Sequence, residues 1–323
     1  MNEVYLASLK SSFTAHWGYM ALRAACKLNL FDQLLQEPSS VGTLSRNMEL
    51  DARTLETLFS FLLREGYLYK EDERYGVSDK GLYLTDYHPE RVKYSCILWG
   101  EEQLTALQSL DYSIRTGASS FESHFGESFF GYLSSRPEVI RIYHKAMEEY
   151  AREDYKTLTE LVDFSNFRKL LDVGGGTGTL ARYVKSSCPS VEVTIMDRPE
   201  VLALCEVTDV NLMSGDFFES VTGHYDAIVL ARVLHDWPDE LALQILQNIS
   251  YAQGPGDSLF VLENLIDRMP DRGELLSLHM TAVCRSFERS IEEYRSLLNK
   301  SGYMVNQPIQ LTPHQFILPC KKN

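Results

Sequence analysis

Positive charge is what this chain of 323 residues is short of: 31 Lys and Arg stand against 45 Asp and Glu, a net charge of −14. Long-range repulsion from that surplus disfavours polyanions and anionic membrane surfaces, so neither nucleic acid nor membrane is an expected partner. Cysteine is sparse and scattered. The six, Cys26, Cys96, Cys188, Cys205, Cys284 and Cys320, include no C-x-x-C pair and no histidine at ligand spacing, which argues for reduced thiols and against a structural metal. No apolar run reaches membrane length, and MNEVYLASLK lacks a basic stretch leading into an apolar core, so a cytoplasmic protein is expected. With 44% hydrophobic and 24% charged residues, the composition is that of an ordinary folded protein long enough for two domains.

What is present is organised around residues 169–180, KLLDVGGGTGTL. A buried-strand pattern over 170–173 breaks into Gly174, Gly175, Gly176, Thr177 and Gly178, and a helix is expected from Thr179. Glycine belongs where the backbone turns through positive φ and a ligand approaches the place of a Cβ, with the free N–H groups of the helix start facing outward. By itself such a turn is as consistent with a plain structural role. Asp197 closes the next strand, residues 191–196, where an open α/β sheet offers a carboxylate to ribose hydroxyls; a nucleoside ligand is therefore expected. Gly176, Gly178 and Ala181 also fit the G-x-G-x-x-A form of the dinucleotide fingerprint, which keeps a nicotinamide cofactor open.

Ahead of this segment, residues 4–28 carry apolar side chains at helical spacing over more than one face, among them Leu6, Leu9, Phe13, Trp17 and Met20. Either the rest of the domain or a partner subunit must cover the second face. Two short helices at 41–48 and 51–64, followed by a hairpin at 66–77, give a winged helix-turn-helix pattern. Its second helix sets Arg53 and Arg64 against Asp51, Glu56 and Glu65, too acidic for a DNA reader, so a structural or dimerising role is expected. Residues 94–160 read as mostly helical, broken at 116–120 and rich in aromatics that suit either a core or a pocket between domains. From 169 onward strands and helices alternate, which predicts an α/β, doubly wound, mostly parallel sheet. Ligands bind at the carboxyl ends of such strands, here marked by Asp197, Gly215-Asp216-Phe217-Phe218 and His235-Asp236-Trp237-Pro238.

In this order and spacing, LLDVGGGTG, DRPEV, GDFF, LARVLHDWPDE, GDSLFVLENL and FERS resemble the plant caffeic-acid and acetylserotonin type of S-adenosylmethionine-dependent O-methyltransferases. The resemblance covers nearly the whole chain and includes YHKAM at 143–147. It implies a class I methyltransferase sheet with a seventh strand at 315–318. It also implies a winged-helix dimerisation domain (1–92), a helical connector contributing to the acceptor pocket (93–160) and an S-adenosylmethionine-binding domain (161–323). The expected protein is a homodimer acting on a small aromatic hydroxylated substrate. Carried over by position, Asp172, Gly174, Gly175, Gly176, Asp197, Asp216, Phe217, Arg232 and Tyr132 would hold the cofactor, with Asp197 on the ribose and Asp216 and Phe217 about the adenine. His235 would be the general base, flanked and oriented by Glu263 and Glu288, while Phe129, Met147, Asp236, His279 and Met280 would meet the acceptor. Two positions depart from the pattern. Ser286 replaces the glycine of the loop that carries Glu288, and His279 stands where the acetylserotonin enzymes have a substrate-contacting Asn.

The residues support this chemistry independently. Transfer of a methyl group from a sulfonium to an oxygen consumes charge, so a dry site that positions the partners and removes one proton suffices. A neutral imidazole, of ordinary pKa about 6.5, suits the proton, and a carboxylate on its other nitrogen fixes the tautomer. Three other readings stay open. A nicotinamide oxidoreductase uses the glycine turn and Asp197 but leaves the histidine motif idle; a ligand-responsive DNA-binding regulator would rest on the winged helix; and a relative of the same family would use S-adenosylmethionine in a hydroxylation or rearrangement.

Overall fold

The computed structural model describes residues 2–269 and 272–323, and the chain divides into two compact units, one ending at Glu102 and one starting at Gln103. The first unit is mainly helical. Residues 4–28, expected as one helix, form two, Asn2–Thr14 and His16–Lys27, parted at Ala15, whose N–H bonds three residues back to Ser12. Helices Val41–Asn47 and Ala52–Arg64 start at Ser40 and Asp51, whose side chains accept from Thr43 and Thr54 N–H. The second of them buries Leu55, Phe59 and Leu62, a stripe at helical spacing. Strands β1 (Leu68–Glu71) and β2 (Arg74–Val77) follow as an antiparallel hairpin, completing the element order of a winged helix-turn-helix. Helix Lys93–Leu98, read from sequence as the start of a connector, lies in this first unit, where the buried Lys93 ammonium pairs with Asp32 and, at 2.9 Å, with Asp86.

The second unit is built on an eight-stranded sheet. Its strands are β3 (Lys169–Val173), β4 (Glu192–Asp197), β5 (Asn211–Ser214), β6 (Ala227–Ala231), β7 (Ser258–Asn264), β8 (Tyr303–Val305), β9 (Ile309–Gln310) and β10 (Gln315–Lys322). They run in the order β5-β4-β3-β6-β7-β10-β8, with β9 paired to β10. The first five are parallel, and β10 is antiparallel to all its neighbours. Both faces are covered, so the central strands are apolar nearly throughout. Leu171, Val173, Leu230 and Val261 pack in one core with helices Asp239–Ser250 and Ile291–Lys300; Leu170, Val193, Ile195, Val229 and Leu262 pack in another with helix Thr179–Ser187. Strand β10 outruns the expected 315–318. Pro319, at which a sequence reader stops, falls between the residues paired with β9 (Phe316, Ile317) and those paired with β8 (from Cys320), so its missing N–H interrupts neither ladder. Strand order reverses between β4 and β6 on either side of β3, the switch point at which such sheets bind ligands.

Candidate active site

After β3 the chain turns through Gly174, Gly176 and Gly178, at φ of 69°, 58° and 84°, into helix Thr179–Ser187. Two bonds tie the turn to β4: Gly174 N–H donates to Met196 O at 2.8 Å, and Gly176 N–H to Asp197 Oδ2 at 2.9 Å. A Cβ on Gly174 would stand 2.9 Å from Val233 Cγ2, and one on Gly175 2.6 Å from the Asp172 carboxyl, so a side chain at either position would force its neighbours to shift. Asp197 accepts also from Arg198 N–H at 2.8 Å, which uses two of the roughly four lone-pair positions of its carboxylate. Burial raises its pKa, and those two N–H groups oppose the rise. Behind the turn Asp172 is buried, and among the described residues its Oδ2 has no hydrogen-bond partner. Burial, aided by the nearby Asp197, pushes the Asp172 carboxyl up to about 7. The set fits a ligand that brings ribose hydroxyls to Asp197 and a positive charge to Asp172.

The remaining residues expected at the cofactor are placed unequally. The Phe217 ring borders the turn, 3.8 Å from the Cβ position of Gly174, and meets Trp237 edge-on. Asp216 is exposed, and its Oδ1 accepts from Phe218 N–H at 2.8 Å, closing its own turn. Tyr132 packs against Phe121 and Phe125 under the Arg136 guanidinium. Arg232 lies between two acids, 3.3 Å from Glu263 Oε2 and 3.2 Å from Glu288 Oε1.

Those acids hold the histidine. Beyond β6, Arg232 bonds back to Leu262 O and takes φ 57°, a left-handed conformation rare for a long side chain, and the short helix Leu234–Asp236 follows. His235 is 7% exposed. Glu288 Oε1 lies 3.1 Å from its Nδ1, and Asp236 Oδ1 3.4 Å from its Nε2. Glu263 was expected beside the ring as well. It is fully buried, offers an oxygen within 4.8 Å of a ring nitrogen, and also holds the main chain, its Oε1 accepting from the N–H groups of Leu234 (2.9 Å) and His235 (3.3 Å).

Charge settles the proton's place. Burial alone would raise Glu288, but Arg232 and His235 overcome it and hold the carboxyl at about 2. An ionised Glu288 accepts from Nδ1–H, which leaves the lone pair of the neutral ring on Nε2. Burial, the largest influence on His235, and Arg232 push its pKa down; Asp236, Glu288 and Glu263 together hold it above the ordinary value. His235, Glu263 and Glu288 also bring potential metal-ligand atoms within 4.8 Å of one another, but the positive charge among these acids is already supplied by Arg232.

Of the residues expected at the acceptor, Asp236 stands at Nε2, and His279 on helix Gly273–Cys284 donates from Nε2 to Gln103 Oε1 at 2.6 Å. Burial, with His235 nearby, lowers His279 to about 4, so it is neutral. Met280 is buried on the same helix and Met147 half-buried on helix Pro137–Asp154. Phe129 sits inside an aromatic cluster with Phe121, Phe130 and Tyr143, with a packing role in that core. Sequence reasoning missed three participants. Gln103 carries no motif; His144 has Nδ1 3.6 Å from the Cβ position of Gly176, although it lay in the YHKAM segment; and Arg289, next to Glu288, is fully buried and donates to Leu234 O (2.9 Å) and Trp237 O (2.7 Å).

Comparison with known proteins bears on this arrangement. Residues 107–304 match the O-methyltransferase domain family. Phenazine O-methyltransferase PhzM of Lysobacter antibioticus is 28% identical over 310 residues, covering 93% of this chain and 91% of its own length. O-demethylpuromycin-O-methyltransferase of Streptomyces alboniger is 31% identical across 94% of this chain and 87% of its own. The crystal structure of human N-acetylserotonin methyltransferase in complex with SAM superposes with a TM-score of 0.89 at 25% identity, covering 98% of this chain and 97% of that one.

Proposed function

The chain belongs to the O-methyltransferase domain family, and on that premise we propose that it transfers a methyl group from S-adenosylmethionine to a hydroxyl of a small aromatic acceptor, with His235 as general base. The observation that carries the proposal is the Glu288 carboxylate on Nδ1 of a buried histidine, at the same sheet edge as a glycine turn with the Asp197 carboxylate beside it. Bound S-adenosylmethionine supplies an electrophilic methyl group on a sulfonium sulfur. Asp172, the glycine turn, Asp197 and Phe217 would hold it, with Asp216 and Tyr132 at the periphery. Arg232, bonded to Glu263 and Glu288, serves the base more directly than the cofactor.

His235 Nε2 takes the proton of the acceptor hydroxyl as the oxygen becomes nucleophilic, and Glu288 stabilises the imidazolium that results. Glu263 fixes the turn that carries the ring. The neutral His279–Gln103 pair suits an acceptor with a second hydrogen-bonding group. A homodimer is part of the proposal, supported by helix Asn2–Thr14 and its successor, on which Phe13 and Trp17 are 67% and 66% exposed. Cytoplasmic residence is part of the proposal, supported by six cysteines that are all free, as in a reducing compartment; among the described residues no helix is long and apolar enough to cross a membrane. Calorimetric titration with S-adenosylmethionine and with NADH, followed by mass spectrometry of a panel of phenols incubated with enzyme and cofactor, tests the reading. Binding of S-adenosylmethionine and a methylated phenol are expected; preference for NADH, or no methylated product from any phenol, would reject it.

A further inference from the structure

Ser286 occupies the place of a glycine in the loop that carries Glu288, and its side chain is not idle. It is 1% exposed, and its hydroxyl donates to the carbonyl oxygen of His235. Ser286 is itself fixed at both ends, its N–H donating to Met280 O at 3.3 Å and its carbonyl accepting from Thr281 Oγ1 at 3.1 Å. His235 is thus held at three points: its N–H by Glu263, its Nδ1 by Glu288 and its carbonyl by Ser286. Arg289 takes the carbonyls of Leu234 and Trp237 on either side. The peptide that begins at the His235 carbonyl leads directly to Asp236, whose Oδ1 lies 3.4 Å from His235 Nε2. Rotation of that peptide would move the carboxylate relative to the ring, and the Ser286 hydroxyl opposes the rotation.

We propose that Ser286 is a positioning residue for the base: by anchoring the His235 carbonyl it fixes the direction of Nε2 and its separation from Asp236. The proposal rests on the reading of His235 as the base. It also explains why the departure from glycine leaves Glu288 on the ring, since the added side chain binds the turn on which that ring is mounted.

Ser286→Ala, Ser286→Gly, Ser286→Thr and His235→Ala would be compared in one methyl-transfer assay, with calorimetry for S-adenosylmethionine. The Ala and Gly variants are expected to lose about 10- to 100-fold in kcat, the scale of a slightly misplaced reacting group, with acceptor KM and cofactor affinity unchanged. Their acid limb in the pH–rate profile moves to lower pH, because a carboxylate that favours the protonated ring has drifted away. Ser286→Thr keeps the hydroxyl and restores both. Wild-type kcat and acid limb in Ser286→Ala would overturn the proposal, as would a loss of kcat accompanied by equal losses of cofactor affinity and thermal stability that Thr does not repair. Full turnover by His235→Ala would remove the base itself, and this proposal with it; an inactive His235→Ala beside an unaffected Ser286→Ala rejects the role of Ser286 alone.

Discussion

Asp172 and Glu288 are both buried carboxylates, yet burial acts almost unopposed on one and is overcome on the other. Asp172 has another acid, Asp197, for a neighbour and is pushed up to about 7; Glu288 faces Arg232 and His235 and is held at about 2. The pH consequences are opposite. Glu288, depressed from 4.5, stabilises the fold fully above about pH 4.5, and that contribution is lost as pH falls toward 2. Asp172, raised from 3.8, costs nothing below about pH 4 and destabilises increasingly up to about pH 7, because the unfolded chain releases the proton first. Asp172→Asn should therefore stabilise the protein without cofactor by on the order of 2 to 4 kcal/mol at pH 8 and by almost nothing at pH 4, read from urea unfolding. Equal effects at both pH values would show that Asp172 is not a strained carboxyl. A sequence reader sees the same kind of letter in both places. His235, Asp197 and Glu288 were legible because a motif sets them at strand and loop ends, whereas the difference between Glu288 on a ring and Glu263 on a backbone depends on where each carboxylate points. Gln103, 176 residues from the His279 it bonds, has no local pattern to announce it.

Among the elements, those that impose a backbone requirement were the legible ones. The turn after β3 needs positive φ and empty space beside Val233, and both requirements write glycine into the sequence. Gly174→Ala would bring a Cβ to 2.9 Å from Val233 Cγ2 at φ 69°. A left-handed alanine costs about 1 to 2 kcal/mol, so a lower thermal midpoint and weaker cofactor binding are expected together. Unchanged calorimetric affinity in a folded variant would place the cofactor elsewhere. Where no such requirement acts, boundaries were missed. The interruption at Ala15 involves one shifted hydrogen bond and no glycine or proline. Strand β10 continues through Pro319 because its flanking partners change there, a tertiary fact that local propensity does not encode.

For the whole molecule, the apolar pattern over residues 4–28 exceeded what one face can bury, and Leu9, Phe13 and Trp17 are indeed exposed in the chain taken alone. Sedimentation at micromolar concentration should show a dimer, and Leu9→Asp with Phe13→Asp should give a folded monomer; a monomeric wild type would contradict the proposed assembly. The family was readable from its motifs and the mostly parallel sheet from its apolar runs, because strands buried on both faces are apolar runs separated by polar ends; the short strands β8 and β9 were not. The central claim is that His235 removes the acceptor's proton, and transfer of labelled methyl from S-adenosylmethionine to a phenol by His235→Ala, measured across pH beside calorimetric cofactor binding, tests it most directly. Unchanged binding is expected, with a loss of about 10²- to 10⁴-fold in turnover at neutral pH and partial recovery as rising pH ionises the phenol without help. Full turnover on every phenol, or loss of cofactor binding in place of turnover, would contradict it.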